Sequence, residues 1–200
     1  GGGRLQGANP RQQLVAVHVG QTDVADEDVG RAGSERGQRF VGREAELAWL
    51  GDAWAEAVDG RGGFVSVLGP EGIGKTRLAA ELARKVHGDG AAVLYGRCDH
   101  AHRGARALLG QALQSASTSL AHVVGATDET VDIAEAVARF LPTWSQSRPV
   151  LVVLDDLQLA DAETLEVVAD LAGWCRATPM LVIGVFRNDP RLTDQEVQTI

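Results

Sequence analysis

The sequence predicts an α/β protein, a three-layer αβα sandwich around a mainly parallel sheet. Three observations predict it. Short continuous apolar runs bounded by turn residues, at Phe64–Leu68, Ala91–Tyr95, Pro149–Leu154 and Met180–Phe186, suit strands covered on both faces. Stretches with apolar residues three and four apart alternate with these runs, as helices covering such a sheet require. Finally, a glycine-rich turn follows the first run and leads straight into a helix.

That turn is Gly69-Pro70-Glu71-Gly72-Ile73-Gly74-Lys75-Thr76. Its glycines let successive backbone N–H groups point inward at a polyphosphate, Lys75 reaches the β and γ phosphates, and the Thr76 hydroxyl suits Mg²⁺. The helix behind it adds its positive N-terminal end, which begins at Lys75, Thr76 and Arg77. The residue frequencies of this chain give a chance match of about 0.2 per cent, and the strand-before, helix-after context lowers it further. Glu71 sits in the bulge of the loop, where its side chain faces water. Lysine occurs only at Lys75 and Lys85 among 19 basic residues. A chain that otherwise uses arginine keeps lysine where a compact, extendable ammonium is needed.

Two hundred residues with 44% hydrophobic content are enough for a buried core. The net charge of -8 argues against a broad nucleic-acid face in this segment, since phosphate backbones need clustered cations. No apolar run reaches a membrane span and no signal-peptide layout opens the chain, so the expected location is cytoplasmic. Cys98 and Cys175 lack paired spacing and read as buried thiols, and Cys98-Asp99-His100-Ala101-His102 as a polar loop. With Met180 as its single methionine and Gly1-Gly2-Gly3 at its start, the chain reads as an excerpt of a longer protein.

In order along the chain, residues 1–38 read as a linker or the tail of a preceding domain, largely disordered. The alternating Leu14–Val19 is a possible last strand of that domain. Residues 39–200 form the second unit. Phe40-Val41-Gly42-Arg43-Glu44 opens a helix with Leu47, Leu50, Trp54 and Val58 on one face, which Asp59–Gly63 stops. Lys75–His87 is the helix behind the loop, and Leu78, Leu82 and Val86 face the sheet. Two helical stretches follow, about 105–117 and 130–141. The strand ending at Leu154 runs into Asp155 and Asp156, which puts both acids on the carboxyl edge where open parallel sheets bind nucleotides. Asp155 is placed to hold Mg²⁺ opposite Thr76, and Asp156 to orient the attacking water. Asp161 caps a helix over 162–176. Arg187 follows the last strand on the same edge, within reach of a γ phosphate. Thr193 and Glu196 form a capping box for a further helix.

Taken together, Phe40–Glu44, Gly69–Thr76, Leu154-Asp155-Asp156-Leu157-Gln158-Leu159-Ala160-Asp161 and Val185-Phe186-Arg187 resemble the AAA-type ATPase domain of bacterial STAND regulators, P-loop NTPases attached to activator, helix-turn-helix or cyclase modules. The similarity covers residues 39–190. It implies ATP and Mg²⁺ as ligands, with Val41, Gly42 and Arg43 at the base and ribose. Gly69, Gly72, Ile73, Gly74, Lys75, Thr76 and Arg77 lie at the phosphates, Thr76 and Asp155 at the metal, and Lys75, Asp156 and Arg187 act in catalysis. Gln158 and Leu159 stand where the family usually has histidine and tryptophan. The family's fifth strand, helical lid and winged-helix element would lie beyond Ile200, leaving a sheet edge exposed.

The function these residues imply is an ATP-binding, slowly ATP-hydrolysing switch in a larger signalling or transcription-regulatory protein. ATP and ADP are its direct ligands. The lid and winged helix act in cis, the effector is a DNA-binding or other output domain, and nucleotide-dependent oligomerisation is a further possibility. Alternatives are a nucleotide-binding module without hydrolysis, since no arginine finger is visible, and a P-loop small-molecule kinase, which the paired acids disfavour.

Overall fold

The computed structural model describes residues 15–18, 42–99, 104–116, 141 and 144–187. Its centre is a parallel sheet of β1 (Val15–His18), β2 (Gly63–Gly69), β3 (Ala92–Arg97), β4 (Val150–Asp155) and β5 (Met180–Arg187), in spatial order β1-β2-β5-β4-β3. The four apolar runs are all strands, and β4 and β5 each extend one residue past theirs to take in Asp155 and Arg187. The helices are α1 (Glu44–Val58), α2 (Lys75–Gly88), α3 (Ala105–Ala116) and α4 (Ala162–Trp174).

Alternation along the strands sorts the core into two layers. Val65, Val67, Leu151, Val153, Leu181 and Ile183 pack under α1 and α2. Phe64, Leu68, Val152, Leu154, Val182 and Phe186 pack under α3 and α4. Because both faces are covered, β4 is buried along its whole length, which is why it shows no polar alternation in sequence. Close packing on the second face depends on Gly96, where an added Cβ would lie 2.5 Å from the Leu108 carbonyl oxygen of α3.

Three differences from the sequence expectations have simple causes. The short strand at 15–18 pairs in parallel with β2, Val15 opposite Val65 and His18 opposite Leu68, so it belongs to this sheet and covers the edge beside the loop strand. A short alternating run such as Leu14–Val19 carries no information about which strand it pairs with. In α1 the buried positions are Leu50 and Ala57, while Val58 in the last turn is exposed. The helix from Ala162 ends at Trp174 and tightens into a 3-10 turn, Cys175–Ala177. Asp161 caps it as expected, its Oδ1 accepting from the Thr164 N–H at 2.8 Å. The linker at 20–38, the helix over 130–140 and the capping box at Thr193 lie outside the described residues.

Candidate functional site

Lys75, Thr76, Asp155, Asp156 and Arg187 gather at the carboxyl edge of the sheet, and strand register helps put them there. In the β2–β5 ladder Gly69 stands opposite Arg187. In the β3–β4 ladder Arg97 stands opposite Asp155. Between them the glycine-rich turn leaves β2 and enters α2. Gly72 has φ 75 and Gly74 φ 92, left-handed backbone that glycine adopts without the penalty of a side chain. Gly74 is the residue before α2, so the loop passes directly into the helix N-terminus.

Lys75 is 7% exposed, and its Nζ donates to the Pro70 carbonyl at 2.7 Å, bridging the loop. Burial lowers its pKa, with Arg187 adding to the effect, while Asp155, Asp156 and Glu71 oppose it. Thr76 and Asp155, 79 residues apart in sequence, meet here: Thr76 Oγ1 donates to Asp155 Oδ2 at 3.0 Å. Asp155 is buried, and its carboxylate also accepts the Tyr95 hydroxyl at 3.0 Å and the Asp156 backbone N–H at 2.9 Å. Burial, followed by the charge of Asp155 and this hydrogen bond, pushes the Tyr95 phenol well above its ordinary range.

Asp156 follows at φ 55, the single non-glycine residue with positive φ among the described residues. Its Oδ2 takes Arg97 Nε at 2.8 Å and Nη2 at 2.6 Å, and its Oδ1 accepts from Gln158 Nε2 at 2.8 Å. Arg187 Nε lies 3.7 Å from the same Oδ1. Burial raises the Asp156 carboxyl, but the hydrogen bonds from Gln158 and Arg97 and the charges of Arg97 and Arg187 outweigh it and hold it below its ordinary value. Gln158 turns its other end to Arg187, whose backbone N–H donates to Oε1 at 2.9 Å. The two partners fix the amide orientation, since a carboxylate needs the NH₂ and an N–H needs the oxygen.

Arg187 also reaches back over the loop, with Nη1 2.9 Å from Glu71 Oε2. Glu71 is exposed, as its place in the bulge implies, yet it is ion-paired. Arg43 is buried at the start of α1, and its Nη2 donates to the Ile73 carbonyl at 2.9 Å, tying the segment before α1 to the loop. Gly42 has φ 84 and donates its N–H to Glu44 Oε1. Arg77 lies on the exposed side of α2, its Nε 4.0 Å from Glu81 Oε1. Val41 lies outside the described residues. Tyr95 and Arg97 of β3 and Gln158 of the turn after β4 are site residues that the sequence reading does not name as such, because strand pairing and the turn bring them to the acids and no local motif marks them.

The donor set suits a hard cation beside a phosphate. A hydroxyl and a carboxylate from different elements converge within hydrogen-bond distance, and oxygen donors of this kind are what Mg²⁺ takes. Among the described residues no group of three or more His, Cys, Asp or Glu is arranged to hold a metal ion. Cys98 and Cys175 are buried free thiols, pushed by burial up to about 11 and about 12. No helix among the described residues is long and apolar enough to cross a membrane.

Comparison with known proteins bears on the family and the fold. A family model described as "AAA ATPase domain" matches residues 39–183. Among solved structures the chain is similar to Cdc6p from Pyrobaculum aerophilum, at 19% identity and a TM-score of 0.59 over 83% of this chain and 45% of that one. It is also similar to the Aeropyrum pernix ORC2 protein in its ADPNP-ADP complexes, at 15% identity and a TM-score of 0.53 over 80% and 46%. A third is the Aeropyrum pernix ORC1 protein in complex with DNA, at 18% identity and a TM-score of 0.51 over 78% and 42%. The chain spans less than half the length of each of these. At such identities the likeness concerns the fold, a P-loop α/β sandwich. No curated protein matches the sequence.

Proposed function

The chain belongs to the AAA ATPase domain family, and from that premise we propose that it is the Mg-ATP-binding, slowly hydrolysing switch domain of a larger regulator of the STAND type. The observation that carries the proposal is the contact between Thr76 and Asp155, which joins the phosphate loop to the acid strand at one edge of the sheet. In this proposal the loop N–H groups and Lys75 bind the phosphates, and Thr76 and Asp155 hold the metal. Arg43 steadies the segment where the base and ribose would rest. When bound, a magnesium ion would neutralise negative charge on the phosphates and so ease loss of the terminal phosphoryl group to water, leaving a diphosphate.

The chain's own residues do the rest. Tyr95 and the Asp156 N–H keep the Asp155 carboxylate aimed at Thr76. Asp156, kept ionised by its neighbours, is the acceptor that orients a water, and Arg97 must loosen for it to do so. Arg187 distinguishes a triphosphate from a diphosphate by engaging the terminal group. A switch needs that kind of differential contact to shift its equilibrium. An attached output domain, DNA-binding or otherwise, would read the change, with a lid and winged helix completing the site.

One observation favours a second reading, nucleotide binding without turnover. Both oxygens of Asp156 are already engaged, by Arg97 and Gln158. Incubation with labelled Mg-ATP separates the two. Release of inorganic phosphate, slowed in Asp156→Asn at unchanged affinity, supports hydrolysis. Retention of intact bound ATP overturns it and leaves the second reading. Equal turnover in the variant removes Asp156 from catalysis.

A further inference from the structure

We propose that Glu71 is an internal competitor for Arg187 and thereby sets how strongly the site favours a nucleoside triphosphate over a diphosphate. The inference rests on the phosphate-site reading above. The Arg187 backbone is fixed at the loop's entrance by its register with Gly69 and by the hydrogen bond to Gln158. Its side chain is 41% exposed and stands between two carboxylates, Glu71 Oε2 at 2.9 Å from Nη1 and Asp156 Oδ1 at 3.7 Å from Nε. Glu71 is 73% exposed, so charge rather than packing brings its carboxylate to the guanidinium.

A guanidinium binds carboxylate and phosphate oxygens through the same N–H donors. A terminal phosphate that engages Arg187 therefore competes with Glu71 for it. A diphosphate lacks that terminal group and leaves the pair intact. Glu71 thus weakens triphosphate binding selectively, and the ratio of the two affinities is the quantity it controls. Because both partners are solvent-exposed, the pair is screened, and removing it should shift the ratio by about two- to fivefold.

The test is titration calorimetry of the wild-type chain, Glu71→Gln, Arg187→Gln and the double variant with Mg-ADP and the magnesium complex of a non-hydrolysable imido analogue of ATP. Glu71→Gln should tighten the triphosphate about two- to fivefold more than the diphosphate, and with Gln at 187 the same change should leave the ratio unmoved. An unchanged ratio in Glu71→Gln overturns the inference while the nucleotide site stands. A ratio that shifts equally in the Arg187→Gln background also overturns it, because the carboxylate would then act on phosphate by direct repulsion. If the wild-type chain binds neither nucleotide, the phosphate-site reading itself fails, and the inference with it.

Discussion

Replacing Tyr95 by Phe removes one hydroxyl and leaves the ring. That hydroxyl donates at 3.0 Å to Asp155 Oδ2, a carboxylate 1% exposed at the end of β4. Hydrogen bonds to charged groups contribute about 1.5–3 kcal/mol, and because Tyr95 is half-buried the lower end, about 1.5 kcal/mol, is expected. For a chain of this size that lowers Tm by about 3–6 °C. Urea unfolding followed by fluorescence of the four tryptophans measures it. The pH dependence has a definite sign. The folded phenol is raised above its unfolded value of about 10, so the stabilisation is fully present below about pH 10 and disappears only as pH rises through the folded value. The cost of Tyr95→Phe should therefore be flat from pH 6 to pH 9, on the order of 1.5 kcal/mol, and most of it should vanish in an Asp155→Asn background. A full-sized cost that persists with Asn at 155 would refute the assignment of the effect to this carboxylate.

Three further outcomes follow from the same edge. Gln158→Leu loses the bridge between Asp156 and the Arg187 backbone and should cost about 1–2 kcal/mol by urea unfolding; a neutral result would contradict the bridging role. Gly74→Ala forces a side chain into φ 92 and should cost about 1–2 kcal/mol while weakening nucleotide binding, read by melting with and without Mg-ATP. Asp156 is held below the ordinary carboxylate value, so its contribution is present above about pH 3.9 and is lost as pH falls through the folded value. The stability difference between the wild-type chain and Asp156→Asn should accordingly shrink on acidification below pH 4, and a difference independent of pH would contradict it.

Much of the fold was legible because a parallel sheet covered on both faces writes itself as unbroken apolar runs, and β4 and β5 are such runs. The turn into α2 was legible for a related reason: Gly72 and Gly74 occupy backbone that other residues avoid. What stayed hidden depends on register. That Arg97 faces Asp155 and Gly69 faces Arg187 follows from how strands pair, which one sequence does not specify, so the hold of Arg97 on Asp156 and the Glu71–Arg187 pair had no local signal. The same holds for β1, whose partner strand lies some fifty residues downstream.

Calorimetric titration of the wild-type chain and Lys75→Ala with Mg-ATP bears most directly on the central claim, that the loop after β2 and the acids after β4 jointly hold a magnesium-bound triphosphate. The expected result is saturable one-to-one binding by the wild-type chain, loss of tight binding in the variant, and an unchanged far-ultraviolet circular dichroism spectrum. Equal affinity in the two proteins would contradict the claim.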